Sequence, residues 1–458
     1  VENTVNDHSP EKGRHHDQNK NQTAGSCDHT ACRINHHPPP AYGDNSKGCI
    51  TASVNATEDP AVSIYTGGNL TINGLAESEG SMVVDGNVTG ALNGLAGKVM
   101  WGMGYNPPAN ATMLAVGGKI STKADAWTSG NVRVGGTASN QLFIANEANM
   151  RAFLKRQGYN PDADAGGMTY LESYMRFAYA GQKNAKILQN LGKTNALKVD
   201  MDGDGTLESD FNNHVTKNLI PLSDKLNSMQ ATGTITYEKA PDVANYGFES
   251  IRGNQWMTIT GEGRIVFTGD NQKHAQVFRL DLNALDAARN TLKNVQWSLD
   301  FRNIPTGQAI VINVTGKTSY NWVPGWRVWV NGVDHTSKVN GNGADLNRFK
   351  DIASRIMWNF PNMTNLTLSG AHYTAVKGNS GWANTGIDQT TKTSKGVLFP
   401  GSILIPRGSF SDIADTNGRL LIGKNLTLTI WEHHNIAWTG FDEPQCFAVN
   451  GATKANIA

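Results

Sequence analysis

AVSIYTGGNLTING (residues 61–74) reads as a short apolar run, a Gly-Gly corner, a second alternating run and a closing Asn-Gly. The same order returns in GSMVVDGNVTG (80–90), GKVMWGMG (97–104), ATMLAVGGKIST (111–122) and GNVRVGGT (130–137). Strand, corner, strand with glycine at each corner predicts a coiled β ladder whose corners use glycine's access to positive φ. Small apolar residues would then stack inward between rungs. The expected class is mainly β: a β-solenoid (β-helix) with an inserted helical segment packed alongside. A Greek-key sandwich is the competing architecture.

Outward from this block the pattern changes twice. Residues 147–232 carry helical apolar spacing, in NEANMRAFLKRQGY (146–159), TYLESYMRFAYAGQKNAKILQNLG (169–192) and ESDFNNHVTKNLIPLSDKLNSMQ (208–230). Ser209 or Asp210 is placed to cap the third stretch, and Pro221 to kink or break it. Strands resume at GTITYE (233–238) and run to about 430. The expected organisation is a Cys/His-rich N-terminal segment (1–49), a first solenoid part (50–146), a helical insertion (147–232), a second solenoid part (233–440) and a C-terminal tail (441–458).

The N-terminal segment is almost free of aliphatic residues and its composition is that of a disordered chain. It holds six of the 12 histidines: His8, His15, His16, His29, His36 and His37. Clustered imidazoles suit transition metals, but a solvated polar tail fits them as well. Four cysteines are present, Cys27, Cys32, Cys49 and Cys446. Four cysteines allow three pairings, and the spacing matches no standard zinc signature. The expected disulfides are Cys27–Cys32 and Cys49–Cys446. The partner expected for this segment is a second copy of the chain: its extended backbone would add to open rungs at the solenoid ends and build filaments.

Charged residues are 17% of the 458, and the net charge is +1. That balance gives no field for nucleic acid or anionic membranes, and no apolar run reaches the roughly 20 residues of a membrane span. A chain beginning at Val fits a processed, secreted form.

The sharpest motif is Asp200-Met-Asp202-Gly-Asp204-Gly205-Thr206-Leu-Glu208-Ser-Asp210. Carboxylates at positions 1, 3 and 5 before a turn glycine form half of an EF-hand-like loop. The expected ligands of a structural Ca²⁺ are Asp200, Asp202, Asp204, the Thr206 carbonyl, Glu208 and Asp210. Position 12 is Phe211, so Asp210 must replace the usual bidentate acid. A loop that merely caps the following helix is the plainer reading.

Enzyme signatures fail. NVTGKTS (313–319) ends like a phosphate loop without its first glycine, and neither G-x-S-x-G nor H-E-x-x-H occurs. His433 and His434 are adjacent on a strand and face opposite ways. Asp281 and Asp300 form no readable glycosidase pair. No catalytic residue is expected. Asn-x-Thr triplets begin at Asn55, Asn69, Asn87, Asn110, Asn313, Asn362, Asn365 and Asn425. They match glycan acceptors and equally strand-edge chemistry. An ice-binding solenoid needs a flat, regular Thr ladder, and the Thr spacing in the sequence is too irregular to show one.

IMWNFPNMTNLTLSG (356–370) and FPGSILIPRGSF (399–410) resemble the choice-of-anchor A domain of bacterial secreted and surface proteins, often labelled collagen-binding or adhesin-like. Asn359, Phe360, Pro361, Gly401, Ser402, Ile403, Leu404 and Pro406 carry the match, with Ile405 in place of the usual Ala. VINVTG (311–316) and the stretch 210–233, through Phe211, Leu222, Ser223, Leu226 and Gly233, follow in the family's order. The resemblance spans roughly 60–435. It implies a secreted or surface-held adhesive matrix protein without catalytic residues, whose partners are itself, a host matrix protein or a polysaccharide. The chain ends at Ala458 with no wall-sorting motif, which favours a released protein. Ice-binding and carbohydrate-active solenoids are the alternatives.

Overall fold

The computed structural model describes residues 62–73, 76–90, 99–101, 110–123, 125–156, 158, 160, 161, 184–240, 248–252, 255–259, 261–293, 295–325, 327–335, 343–368, 373–374, 385–388, 393–396, 399–412, 416–429 and 431–440. The chain divides into residues 1–43 and 44–458, and every described residue belongs to the second part. The four cysteines, the N-terminal histidines and Asn55 lie outside the described residues.

The protein is mainly β with few helices. Three sheets carry it, and every ladder within them is parallel. The first has ten strands in the order Ile187–Leu188, Asn131–Val134, Thr112–Val116, Met82–Val84, Ile64–Thr66, Leu420–Ile422, Ser402–Ile405, Ile356–Asn359, Ile310–Thr315 and Gln276–Asp281. The second has seven: Ser319–Trp322, Asn365–Leu368, Ser409–Asp412, Leu426–Leu428, Leu70–Ile72, Val88–Gly90 and Ile120–Thr122. The third, also of seven, runs from Leu142–Ile144 through Ala126–Thr128, Val99–Trp101, Ala76–Ser78, Trp431–His434 and Thr416–Asn417 to Phe399–Pro400. All-parallel ladders exclude a Greek-key sandwich, whose sheets are antiparallel.

The chain enters this stack in its middle. It winds outward from Ile64–Thr66 to Ile187–Leu188, re-enters at Gln276–Asp281 and returns to finish beside its own first strand. Ile64 pairs with Leu420, Leu70 with Leu426 and Ala76 with Trp431. Where the two halves meet, the buried His433 ring bridges Thr416 Oγ1 (2.8 Å from Nδ1) and Ser63 Oγ (2.7 Å from Nε2).

Inward-facing residues make one core, including Ile64, Leu70, Val88, Trp322, Trp358, Phe410 and Leu426. The outer side of the first sheet is also apolar: Tyr65, Val83, Ala115, Val277, Val311, Met357, Leu404 and Leu421 pack against Leu197, Phe211, Leu219, Leu226 and Met229. Being covered on both faces explains why these strands read as unbroken apolar runs. A buried amide chain fixes the cover: Asn359 Nδ2 donates to Ser223 O (2.9 Å) and Asn313 Oδ1 (2.7 Å), while Asn313 Nδ2 donates to Leu226 O (2.8 Å).

Several elements depart from the sequence pattern. Ile187 and Leu188, given to a helix, are a strand on Val132 and Arg133. Ser209 and Asp210 do not cap a helix but pair with Val199 and Lys198. The helix starts later, as a π turn Val215–Leu219 running into the α-helix Ile220–Ser228. Pro221 follows the changeover from π turn to α-helix, so the helical run changes pitch beside it and does not end there. Among the described residues of 233–430 two helices interrupt the strands, Leu282–Thr291 and Gly343–Arg355. The first is capped by Asp281, whose side chain accepts from Asn283 N at 2.9 Å. A separate five-stranded sheet, Thr234–Lys239, Gly261–Thr268, Val295–Arg302, Val328–Val330 and Val333–Asp334, also belongs to this half.

The corners need correction as well. Gly67, Gly117, Gly135 and Gly423 do not occupy the left-handed region. They are glycine because the next rung is too close: a Cβ on Gly135 would lie 2.0 Å from Gly117 O, and one on Gly423 would lie 1.8 Å from Pro406 O.

Candidate functional site

The outer face of the second sheet follows from a three-residue unit. In Asn69-Leu70-Thr71 the Asn sits at the corner, the Leu is buried and the Thr faces out, because strand side chains alternate. Asn87-Val88-Thr89, Asn425-Leu426-Thr427 and Asn365-Leu366-Thr367 repeat it, and Lys119-Ile120-Ser121, Ser409-Phe410-Ser411 and Ser319-Tyr320-Asn321 are variants.

Register aligns the outward residues into one row: Asn321, Thr367, Ser411, Thr427, Thr71, Thr89 and Ser121, each directly opposite the next. Asn321, Thr89 and Ser121 are exposed and the other four half-buried. Adjacent strands lie about 4.8 Å apart, so six steps carry the row over roughly 29 Å. None of the seven side chains is charged or aromatic.

The corner residues form a second row by hydrogen bonding. Asn425 N donates to Ser409 Oγ (3.3 Å), Asn69 N to Asn425 Oδ1 (2.9 Å), Asn87 N to Asn69 Oδ1 (2.8 Å) and Lys119 N to Asn87 Oδ1 (2.8 Å). Each link fixes the offset of one rung on the next and so holds the hydroxyl row in line. A mixed row of Thr, Ser and Asn in register thus exists, which the sequence spacing concealed. The Asn-x-Thr triplets were the signal. Those at Asn69, Asn87, Asn365 and Asn425 mark rungs here; those at Asn110 and Asn362 lie off this sheet, and Asn313 is buried against the covering helix.

The acidic loop is a second feature. Ligand oxygens of Asp200, Asp202, Asp204 and Glu208 all lie within 4.8 Å of one another. Asp200 is buried and accepts from Gly203 N (2.6 Å) and Gly205 N (2.8 Å); both glycines have positive φ, 82° and 94°. Asp204 accepts from Thr206 N (2.7 Å), which holds its carboxyl below the ordinary range. Glu208 accepts from Met201 N. Thr112 ties the loop to the first sheet, donating its N–H to Asp200 O (2.7 Å). Asp210 is not brought in: it accepts from Asn212 N (2.8 Å) and Nδ2 (2.7 Å), which lowers its pKa. Phe211, at the place of the missing acid, is a core residue stacked on Tyr65 with centroids 6.0 Å apart. A hard, all-oxygen donor set fits a calcium ion.

The remaining singled-out acids are structural. Asp300 is buried between Arg302 (2.7 Å) and Arg264 (3.5 Å), and Asp281 is the helix cap. Among the described residues no helix is long and apolar enough to cross a membrane.

A family profile described as an ice-binding-like adhesive domain matches residues 63–379. The chain belongs to this family. The match takes in Asn69, Asn87 and Asn365, the covering helix and the acidic loop, and ends before Asn425. It supports the adhesin-like side of the sequence resemblance; it is not a match to choice-of-anchor A.

No curated protein matches the sequence. Among solved structures this ice-binding-like adhesive domain is similar to an ice-binding protein of the Antarctic ascomycete Antarctomyces psychrotrophicus, with 10% identity over 84% of this chain and 98% of that one, at a TM-score of 0.24. A glycosylated ice-binding protein from an Arctic yeast follows at 9%, 86%, 97% and 0.28. The ice-binding protein_1 DUF3494 domain of Shewanella frigidimarina stands at 11%, 83%, 96% and 0.26. Scores this low leave fold and function to be read from the chain's own geometry.

Proposed function

We propose that this chain is an extracellular or surface-held adhesive protein that grips a regular, neutral surface with the outer face of its second sheet. The observation that supports this is the seven-residue row in register, running from Asn321 to Ser121. On this reading the three parallel ladders act as one β-solenoid that presents a hydroxyl or amide at every rung. A rigid face loses little entropy on docking, which suits many weak, identical contacts.

Ice is the surface this row suits best. Its side chains offer no charge for an ionic polymer and no ring for a sugar to stack on. Thr71→Arg with Thr89→Arg tests the face, since two long cations break the row in its centre. Adsorption to ice, to insoluble neutral polysaccharide and to collagen is compared for the two proteins. Ice adsorption is expected to fall at least tenfold with an unchanged melting temperature. Loss on polysaccharide or collagen alone would keep the face and replace the ligand. Unchanged binding to all three would end the proposal.

The acidic loop serves, on the same reading, as a calcium staple that holds the covering helix to the first sheet. Asp200, Asp202, Asp204 and Glu208 are the ligands, and the Thr206 carbonyl completes the set. Millimolar Ca²⁺ should raise the melting temperature, because the ion binds the folded loop far better than the unfolded one. Asp200→Asn with Asp204→Asn should remove that rise. No rise in the parent protein would discard the ion.

A further inference from the structure

Filament growth through open rungs meets a difficulty at one end of the stack. The outer edge of Gln276–Asp281 is already met by the chain's own backbone: Thr232 N and Gly233 N donate to Val277 O at 2.9 and 3.3 Å. Thr232 Oγ1 also accepts from Val277 N at 2.9 Å. The second sheet is attended similarly at its Ile120–Thr122 end, where Ile120 N donates to Thr137 O at 3.0 Å.

The long free edge lies in the five-stranded sheet. Thr234–Lys239 is its outermost strand, and its inner side pairs with Gly261–Thr268 over all six residues without a bulge. In an antiparallel ladder alternate residues point N–H and C=O to the other side. Among the described residues nothing pairs there. The opposite edge of this sheet, Val333–Asp334, has two residues and offers little.

We infer that Thr234–Lys239 is a self-association edge, pairing antiparallel with the same strand of a second copy. Four features carry this. The sequence TITYEK is rich in β-formers, whereas the polar N-terminal segment is poor in them. Natural edges are guarded by proline, bulges or free charges. This strand has no proline and no bulge, and the Glu238 carboxylate is held by Arg302, leaving Lys239 at its end. Ile235 and Tyr237 pack on the core yet stay half-exposed, so pairing would cover their outer parts.

Self-complementarity is the fourth. A twofold axis normal to the sheet sets residues of equal parity opposite each other. Centred on Thr236, it places Ile235 against Tyr237 and Thr234 against Glu238 of the copy. This register opposes no like charges and sets Thr236 against Thr236 of the copy. The contact is isologous, so it closes as a dimer and does not propagate. Two chains joined this way would double the number of adhesive faces.

The test uses the full chain in a sedimentation series over concentration, with hydrogen exchange at 234–239. A dimer with those amides protected is expected. Thr236→Lys should weaken dimerisation at least tenfold while circular dichroism and melting stay unchanged. Should that variant misfold, Thr236→Cys replaces it, and peptide mapping seeks a disulfide joining position 236 of one copy to position 236 of the other. A chain monomeric at every concentration overturns the proposal. So does a dimer that survives Thr236→Lys, a Thr236→Cys variant that forms no such link, or a dimer that disappears when residues 1–45 are deleted, which would make the N-terminal segment the occupant.

Discussion

A Cβ on Gly423 would lie 1.8 Å from the Pro406 carbonyl oxygen, a backbone atom that no side-chain rotation can move. Overpacking of this kind costs typically 1–3 kcal/mol, and a backbone obstacle places Gly423→Ala at about 3 kcal/mol. Gly158→Ala is the contrast: its φ is +85° but nothing lies within 4 Å of the added atom, and the backbone term alone is about 1 kcal/mol. Chemical denaturation of the two variants measures the difference, and equal losses would show that conformation governs the corners. The sequence displayed these glycines clearly but not their reason. Positive φ and close approach select the same residue, and only coordinates separate them. The acidic loop was legible at Asp200, Asp202, Asp204 and Glu208, because local spacing defines it. Asp210 lies outside that group, because a cross-strand pair with Lys198 sets its position.

At the scale of elements, Asn359 is the clearest lock. Its amide joins two strands and a helix at zero exposure, reaching Ser223 O and Asn313 Oδ1. Asn359→Ala orphans both acceptors in a dry setting, where each lost partner costs about 1–3 kcal/mol. A loss of about 3 kcal/mol is expected, with faster amide exchange across 220–228. Unchanged exchange there would mean that apolar contacts alone hold the helix. The WNFP and VINV segments were read as a family resemblance, and the helix over 210–233 was read beside them. Their meeting through one amide chain was hidden, since nothing local encodes a contact across 136 residues. The Asn-x-Thr triplets were seen and left open between glycan acceptor and strand edge. Those at Asn69, Asn87, Asn365 and Asn425 are irregularly spaced along the chain because inserts between strands vary in length, while their strands share one sheet.

For the whole molecule, the mainly β class and the presence of helices were legible, whereas the order of strands was not. Periodicity reports which way a side chain points and carries no record of which rung lies next to which. The mid-stack entry bears on the cysteines. Cys49 precedes Val62 by 13 residues and Cys446 follows Gly440 by six. At about 3.3–3.6 Å per extended residue these lengths reach far enough to meet from an entry and an exit that share the same stack. Peptide mapping without reductant should find Cys49 linked to Cys446. Reduction should then lower stability by about 2–4 kcal/mol. Cys49 linked to Cys27 or Cys32 would refute that pairing.

The junction of the two halves also bears on how the chain is made. The first coils meet their outer neighbours only across the join, where Asn69 bonds to Asn425, 356 residues later. Contacts of such high order are slow to form, since the long loop must close before it is rewarded. During synthesis the coils of 62–144 would emerge with one row of N–H and C=O groups unanswered until the last strands arrive. A chain built this way cannot complete the stack before its strands at 416–434 have emerged. Until then its exposed ladder is the part that a chaperone or export machinery has to shield.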